Sequence, residues 1–356
     1  MDFQTIFRSR CLVTDGAMGT YYREKYAEGA GAPELDNLTD PEKIASIHRE
    51  YIEAGADIIR TNSFSSNIHT LFQDTSGQTR EEQLRTVYEN TAAACRIAQS
   101  AAADKAEEGE GSAVRPDASE KTGDKTGTET VPGDRRIRPV WVAPFSDFSR
   151  LLPVAEWIRS VSDAFIMASF SVNMFGYTKT GIGMRELLKT ARESSLIDGI
   201  GFNCGIGPSH LGRLLKRCDL GDMIVSAVPN AGYADRIENR MVYRDNSAYF
   251  CEAMEEIAGL GVNIIGGCCG TTPSYTRKLA AAAGNRPVAK RPSDRPEERK
   301  ESEIRYDNNL FIRRLYSGEK VVIAELDPPF DGNDKKMTEA AAVLKRAGVE
   351  MITFSD

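Results

Sequence analysis

The sequence lacks several features that mark whole classes of protein. It has no run of about 18 apolar residues, so we expect no transmembrane helix. Its 52 acidic residues outnumber its 45 basic ones, and the formal net charge of −7 argues against a nucleic-acid or membrane-surface partner. The opening segment, MDFQTIFRSR, lacks the apolar core of a signal peptide, which predicts a cytoplasmic protein. No Gly-x-Gly-x-x-Gly motif follows the first predicted strand, so a dinucleotide-binding fold has little support.

Seven cysteines in a chain without an export signal do not indicate a disulfide framework. Four of them are isolated among apolar or helical neighbours, and we predict that they are buried core thiols: Cys11, Cys95, Cys218 and Cys251. The other three lie at glycine-rich ends of predicted strands, which is a different setting.

Apolar runs suited to buried parallel strands alternate with helical patterns along most of the chain. The predicted strands are Cys11–Thr14, Asp57–Arg60, Val140–Ala143, Phe165–Phe170, Gly199–Phe202, Met223–Val228 and Val262–Ile265. Repeated βα units of this kind predict an α/β fold of the TIM (β/α)₈ barrel type over residues 1–284, in preference to a Rossmann sheet.

Two stretches interrupt this rhythm. Residues 104–138 are rich in Gly, Thr, Asp, Glu and Lys, which predicts a disordered insertion. Residues 285–304 are rich in proline and charge, which predicts a linker. Beyond the linker, in residues 305–356, the pattern predicts a strand, a helix and a strand at Lys320–Leu326, Met337–Ala347 and Glu350–Phe354. These elements are too few to close a core of their own.

Three cysteines stand where a barrel places its active site. Cys204 ends one glycine-rich strand, and Cys268 and Cys269 end another. Residues at the carboxyl ends of barrel strands face the site, and three thiolates with one open position are typical of a catalytic zinc ion. Two other interpretations of the adjacent pair are a redox switch and two buried thiols.

These residues resemble the homocysteine S-methyltransferase family. The resemblance covers residues 1 to about 285, and its motifs are Asp15-Gly16-Ala17-Met18-Gly19-Thr20, Ala54–Phe64, Gly201–Gly205, Pro229–Tyr233 and Gly266–Pro273. It implies a (β/α)₈ barrel whose zinc ion is held by Cys204, Cys268 and Cys269. It also implies that Asp15 and the backbone of Gly16, Ala17, Met18 and Gly19 contact the amino-acid end of homocysteine. Thr61 and Asn62 would line the same pocket, and no catalytic residue is expected beyond the metal site.

The chain departs from the family pattern in one place. In the family, the third strand is followed by a loop with Ile-Gly-Pro, a helix, and a fourth strand that ends in Glu-Thr. Here Val140–Asp147 leads directly into Phe148–Arg159, which matches the helix after the fourth strand. We therefore expect a barrel that lacks one βα unit, strand 4, together with the Glu that would bind the substrate's ammonium group.

The segment after the linker is similar to the start of methylenetetrahydrofolate reductase. The match is short, Val322 to Phe330, and Glu325 stands where that family has its acid. A surface turn after a strand is an equal interpretation. The fusion suggests methyltetrahydrofolate as methyl donor, and from this fragment we expect neither reductase activity nor flavin binding.

Two functions follow from these patterns. The first is zinc-dependent methyl transfer to the thiol of homocysteine, giving methionine, with methyltetrahydrofolate or another small donor. The alternative is a zinc-binding barrel that is inactive because of its internal gap and short second domain. A redox protein with a Cys268–Cys269 disulfide is a third hypothesis.

Overall fold

The computed structural model describes residues 3–26, 32–72, 79–109, 140–232, 235–237, 240–243, 245–284, 286–291, 313–314, 317, 323–326, 334–349 and 351–354. The chain divides into two compact units, Met1–Ser293 and Asp294–Asp356. Among the described residues, no helix combines the length and the apolar character needed to cross a bilayer.

Helices and strands alternate through the first unit. The strands are β1 (Leu12–Val13), β2 (Val140–Phe145), β3 (Ile166–Phe170), β4 (Gly199–Asn203), β5 (Ile224–Val228), β6 (Asp235–Ile237), β7 (Arg240–Val242) and β8 (Ile264–Ile265). The helices are α1 (Phe3–Ser9), α2 (Gly19–Tyr26), α3 (Asp36–Thr39), α4 (Pro41–Glu53), α5 (Ile68–Leu71), α6 (Arg80–Gly109), α7 (Leu152–Val161), α8 (Met184–Glu193), α9 (Pro208–Leu215), α10 (Ser247–Gly259) and α11 (Pro273–Ala283).

Six of these strands form one parallel sheet in the order β1-β8-β5-β4-β3-β2. A seventh segment extends it, because Thr14 forms a parallel bridge with Ile58. All seven predicted strand segments therefore take part, and the expectation of an α/β fold with a parallel sheet is confirmed. Strands β3, β4 and β5 are buried along their whole length, as parallel strands covered by helices require.

The sequence pattern places a missing strand between β2 and β3. In the structure these two strands pair directly, from Val140 beside Ile166 to Phe145 beside Phe170, so the sheet is continuous at that point and the absence of a βα unit stays a prediction. This pairing satisfies backbone groups that a gap would have left exposed at an edge. Among the described residues, the sheet instead ends at the Ile58 segment on one side and at β2 on the other.

Both predicted irregular stretches begin as ordered structure. Helix α6 continues to Gly109, because the Ala, Glu and Lys residues at the start of the predicted insertion are good helix formers. At the start of the predicted linker, the Arg291 guanidinium donates to the carbonyl oxygens of Gly261 (2.8 Å) and Met223 (2.7 Å), which holds that segment on the first unit. The remaining residues of both stretches, 110–138 and 292–304, lie outside the described residues.

The isolated cysteines agree with their prediction only in part. Cys11 and Cys251 are buried, whereas Cys95 and Cys218 are partly exposed, and none of the four is in a disulfide bond.

In the second unit, β9 (Ile323–Leu326) pairs in parallel with β10 (Met351–Phe354), and α12 (Asp334–Arg346) lies between them in the chain. This is the predicted strand, helix and strand.

Candidate metal centre

Three cysteine sulfurs converge at the carboxyl edge of the sheet. Cys204 directly follows β4, while Cys268 and Cys269 follow β8 after two glycines. The sulfurs of all three lie within 4.8 Å of one another. The site therefore unites two loops that are 64 residues apart in the chain.

The turn after β5 joins these two loops, because β5 lies between β4 and β8 in the sheet. The Cys204 N–H donates to the carbonyl of Val228 at 3.1 Å, and the Cys268 N–H donates to that of Pro229 at 2.7 Å. The next residue, Asn230, has a buried side-chain oxygen without a hydrogen-bond partner among the described residues. Both cysteine loops are thus fixed to one turn by their own backbones.

Cys204 has a left-handed backbone conformation, with φ of 57°, which is uncommon for a residue that carries a side chain. Gly205 follows with φ of 75°, and a Cβ atom there would collide with the carbonyl oxygen of Val172. Strained conformations of this kind persist where the surrounding structure enforces them, and they concentrate at functional sites.

The second cysteine loop is tied to itself and to its neighbours. Thr271 donates to the Cys268 carbonyl twice, from its hydroxyl at 2.7 Å and from its N–H at 3.1 Å. The Ala231 N–H donates to the Cys269 carbonyl at 2.9 Å. Gly270 has φ of 81° and lies against the ring of Tyr243. Strand β8 ends at Ile265, so the adjacent cysteines are free of the alternation that would direct them to opposite faces.

The donor set fits a zinc ion. Zinc–sulfur bonds of about 2.3 Å in a tetrahedron place ligand sulfurs roughly 3.8 Å apart, so once Cys204 and Cys268 are reduced, three sulfurs that lie within 4.8 Å of one another need only small shifts to surround the ion. Thiolates are soft ligands that favour zinc over magnesium or calcium. In the structure, Cys204 and Cys268 are joined as a disulfide with their Cα atoms 5.7 Å apart, and Cys269 is free. The hypothesis of a Cys268–Cys269 disulfide is therefore wrong for this conformation.

The electrostatics at Cys269 depend on two neighbours. Burial raises the pKa of its thiol, while the charge of Arg60 and a hydrogen bond from the Tyr243 hydroxyl act in the opposite direction. Burial and the proximity of Cys269 raise the pKa of Tyr243 to about 12, so this hydroxyl remains a donor at neutral pH. A bound cation would favour the Cys269 thiolate further.

Asp15 lies directly beyond β1, and its carboxylate is buried. Its Oδ1 accepts from Arg60 Nε at 2.6 Å, and its Oδ2 accepts from the Arg60 N–H at 2.8 Å. Arg60 also donates to the carbonyl of Gly267, next to Cys268, at 2.8 Å. The sequence interpretation missed Arg60; the available signal was a charged residue at the end of a predicted strand.

The backbone after Asp15 packs tightly on the metal loop. A Cβ atom at Gly16 would lie 2.7 Å from the Thr271 hydroxyl, so only glycine fits there. The Ala17 N–H donates to the Thr271 carbonyl at 3.2 Å, and Gly19 begins α2 after a half-buried Met18. The segment predicted to contact substrate therefore adjoins the cysteines.

Thr61 and Asn62 differ in the burial and the hydrogen bonding of their side chains. The Thr61 hydroxyl is half-buried and lies 2.7 Å from that of Ser63. The Asn62 amide is buried and donates to the Pro33 carbonyl at 2.9 Å and to Asn37 Oδ1 at 3.0 Å. Both of its N–H groups are therefore engaged in holding the loop.

Comparisons with known proteins agree on one family. The family model described as "Homocysteine S-methyltransferase" matches residues 12–118 and 140–283. The methionine synthase of Mycobacterium tuberculosis is 29% identical over 308 residues, and that of Mycobacterium leprae is 28% identical over 307. These alignments cover 80% and 79% of this chain, which spans only about a quarter of the length of those relatives, 25% in each case.

Solved structures show the same fold. The metallated form of the homocysteine methyltransferase MmuM from Escherichia coli aligns with a TM-score of 0.53 at 18% identity, covering 78% of this chain and 98% of that one. Its oxidized form aligns with a TM-score of 0.55 at 19% identity, covering 76% and 95%.

Proposed function

This chain belongs to the homocysteine S-methyltransferase family, and on that premise we propose that it methylates the thiol of homocysteine at a zinc ion, giving methionine. The observation that carries the proposal is the convergence of Cys204, Cys268 and Cys269 within 4.8 Å at the carboxyl edge of the sheet. That edge is where barrels of this type hold their active sites.

Zinc would supply the acidity that the chemistry requires. A free thiol has a pKa of about 8.5, so little thiolate exists at neutral pH, and a zinc ion held by Cys204, Cys268 and Cys269 would favour loss of the proton from the substrate thiol. The homocysteine sulfur would then form a bond to the methyl carbon. The bond between that carbon and the donor would break, and the donor would leave with the electron pair.

The chain's own residues would hold the substrate beside the metal. The loop from Asp15 to Gly19 adjoins Thr271 and thus the cysteine loop. The N–H groups of Gly16 and Met18 have no partner among the described residues, so they are available to the amino-acid end of homocysteine. We assign Asp15, Gly16, Ala17, Met18, Gly19 and Thr61 to this pocket, and Asn62 to shaping its loop.

The donor stays open among methyltetrahydrofolate, S-methylmethionine, S-adenosylmethionine and betaine. Methyltetrahydrofolate is favoured by the similarity of Val322–Phe330 to a methylenetetrahydrofolate reductase, with Glu325 at the acid position. Glu325 lies in β9. Residues 327–330, where the surface turn was expected, lie outside the described residues, so that interpretation stays a prediction beside this one.

A zinc-binding but inactive barrel is the second candidate. The expected absence of strand 4 and of its Glu favours it, because that Glu would bind the ammonium group of homocysteine. Among the described residues, the Ile58 segment and β2 are also two unjoined ends of the sheet. The two candidates share the metal and differ only in turnover.

Metal analysis and a methionine-formation assay test both candidates. The reduced full chain, reconstituted with zinc, should retain about one zinc ion. Cys204→Ser, Cys268→Ser and Cys269→Ser should each lose it, while Cys218→Ser, at a partly exposed cysteine outside the site, should keep it. The zinc-loaded chain is then assayed with each of the four donors beside Cys269→Ala. Zinc retention without methionine would favour the inactive barrel, and equal zinc in all variants would contradict both.

A further inference from the structure

The guanidinium of Arg60 has one nitrogen that makes no hydrogen bond to any residue the structure describes. Its Nε donates to Asp15 Oδ1 at 2.6 Å, and its Nη2 donates to the carbonyls of Gly16 at 2.7 Å and Gly267 at 2.8 Å. The third nitrogen, Nη1, has no partner among the described residues and is not among their buried unpaired atoms. The side chain is 22% exposed, so Nη1 is open to solvent.

The position of this nitrogen follows from the contacts around it. Asp15 and Gly16 follow β1, and Gly267 follows β8, the neighbouring strand. Arg60 itself follows the Ile58 segment on the other side of β1. The guanidinium therefore lies across the carboxyl ends of three adjacent strands. One of the carbonyls that it contacts belongs to Gly267, the residue before Cys268. Its charge reaches Cys269, where it lowers the thiol pKa against the effect of burial.

Without the Arg60 cation, the charges at the carboxyl edge of the sheet would disfavour the binding of an amino-acid substrate. Three thiolates on one zinc ion leave a net negative charge, and the Asp15 carboxylate is buried nearby. Homocysteine brings a carboxylate of its own, and like charges in a partly buried site repel each other strongly. A guanidinium that already neutralises Asp15 and still has free N–H groups meets this need.

We propose that Arg60 determines specificity for amino-acid thiols by binding the α-carboxylate of homocysteine through Nη1. Its Nε and Nη2 fix the guanidinium in place, so little conformational entropy is lost on binding. Asp15 orients Arg60 and keeps further lone pairs for the substrate's ammonium group. The inference rests on the proposed function, since it takes homocysteine as the substrate of this site.

Calorimetric binding of matched thiols to the zinc-loaded chain tests the proposal. The probes are homocysteine, the aminothiol that lacks its carboxylate, and the mercapto acid that lacks its amino group. In the wild type, the aminothiol should bind about tenfold to a hundredfold more weakly than homocysteine. Arg60→Lys keeps a cation beside Asp15 but loses the paired N–H groups of the guanidinium. It should weaken the binding of homocysteine and of the mercapto acid by about tenfold or more. The affinity for the aminothiol should change by no more than roughly twofold.

The selectivity separates recognition from a structural role. A uniform loss for all three thiols in Arg60→Lys would show that Arg60 only supports the fold, and would overturn the proposal. Equal binding of homocysteine and the aminothiol by the wild type would overturn it without any variant. If the wild type in that case still binds and methylates homocysteine, the proposed function stands. A wild type that binds none of the three thiols would overturn both the proposed function and the role of Arg60.

Discussion

Thr271 donates twice to one carbonyl oxygen of Cys268, from its hydroxyl at 2.7 Å and from its N–H at 3.1 Å. The same hydroxyl accepts from the Ala17 N–H at 3.2 Å, and the Thr271 carbonyl accepts from the buried Tyr51 hydroxyl at 3.1 Å. One side chain therefore connects the metal loop to the predicted substrate loop.

Replacing Thr271 with valine should loosen the metal loop while leaving the volume of the side chain nearly unchanged. Losing the hydroxyl should lower the free energy of unfolding by about 1–3 kcal/mol, because buried polar groups lose their partner. Zinc affinity should fall about tenfold to a hundredfold, as for other groups that orient metal ligands. Competition with a chelator measures the affinity, and denaturant unfolding measures the stability.

Thr272→Val is the matched control, since among the described residues the hydrogen-bond partner of that hydroxyl is the exposed Ser274 hydroxyl, at 2.9 Å. Equal zinc affinities in the two valine variants would show that the contact with Cys268 does not support the metal site.

The hydroxyl of Tyr243 should also support the metal, through Cys269. Tyr243→Phe removes the hydrogen bond to this sulfur and keeps the ring that lies against Gly270. We expect zinc affinity to fall about tenfold or more, by the same chelator competition, with the fold retained. Tyr249→Phe is the control, because within the described part of the chain its hydroxyl donates to Ser209, at 2.6 Å on the surface and away from the cysteines. A Tyr243→Phe chain that binds zinc as tightly as this control would contradict the assignment.

The cysteine site could be predicted because its signals are local. Cys204 and Cys268 follow runs of apolar residues and have glycines beside them, and parallel strands bring their carboxyl ends to one edge. Glycine also indicates where the chain must turn or pack closely, and Gly205 does both.

Partners that are distant in the chain could not be predicted. The sequence around Arg60 and Asp15 does not indicate that the two residues pair. They are 45 residues apart, and packing of the folded chain brings them together. Asn62 belongs to a motif that resembles the family, but the motif does not show that its amide donates to Asn37.

A Cβ atom at Gly205 should be costly for two separable reasons. A left-handed residue with a side chain costs about 1–2 kcal/mol, and at Gly205 the added atom also collides with the Val172 backbone. Gly181 has a similar φ of 84° but nothing within 4 Å of such an atom. We therefore expect Gly205→Ala to lower the free energy of unfolding by at least about 1 kcal/mol more than Gly181→Ala. If denaturant unfolding shows equal losses of unfolding free energy in the two variants, the collision with Val172 does not contribute.

The pH dependence of stability should reflect His48, whose side chain is fully buried in α4. Neither ring nitrogen has a hydrogen-bond partner among the described residues. Burial lowers the pKa of His48, and the negative charge of Asp15 opposes this only in part. The folded chain therefore keeps the imidazole neutral, while the unfolded chain takes up a proton near pH 6.5. Stability is then fully present above about pH 6.5 and is lost as pH falls below it, by up to about 1.4 kcal/mol per pH unit.

Denaturant unfolding at about pH 7.5 and about pH 5.5 measures this loss, since the two values bracket the ordinary histidine pKa. His48→Leu, which cannot take up a proton, should lose clearly less stability than the wild type between the two conditions. Ile47→Leu, which alters a buried neighbour in α4 without removing a titratable group, serves as the control for a change in the core, and it should lose as much as the wild type does. If His48→Leu and the wild type lost stability in parallel, the acid sensitivity would arise from other groups, and His48 would be protonated as readily in the folded chain as in the unfolded one.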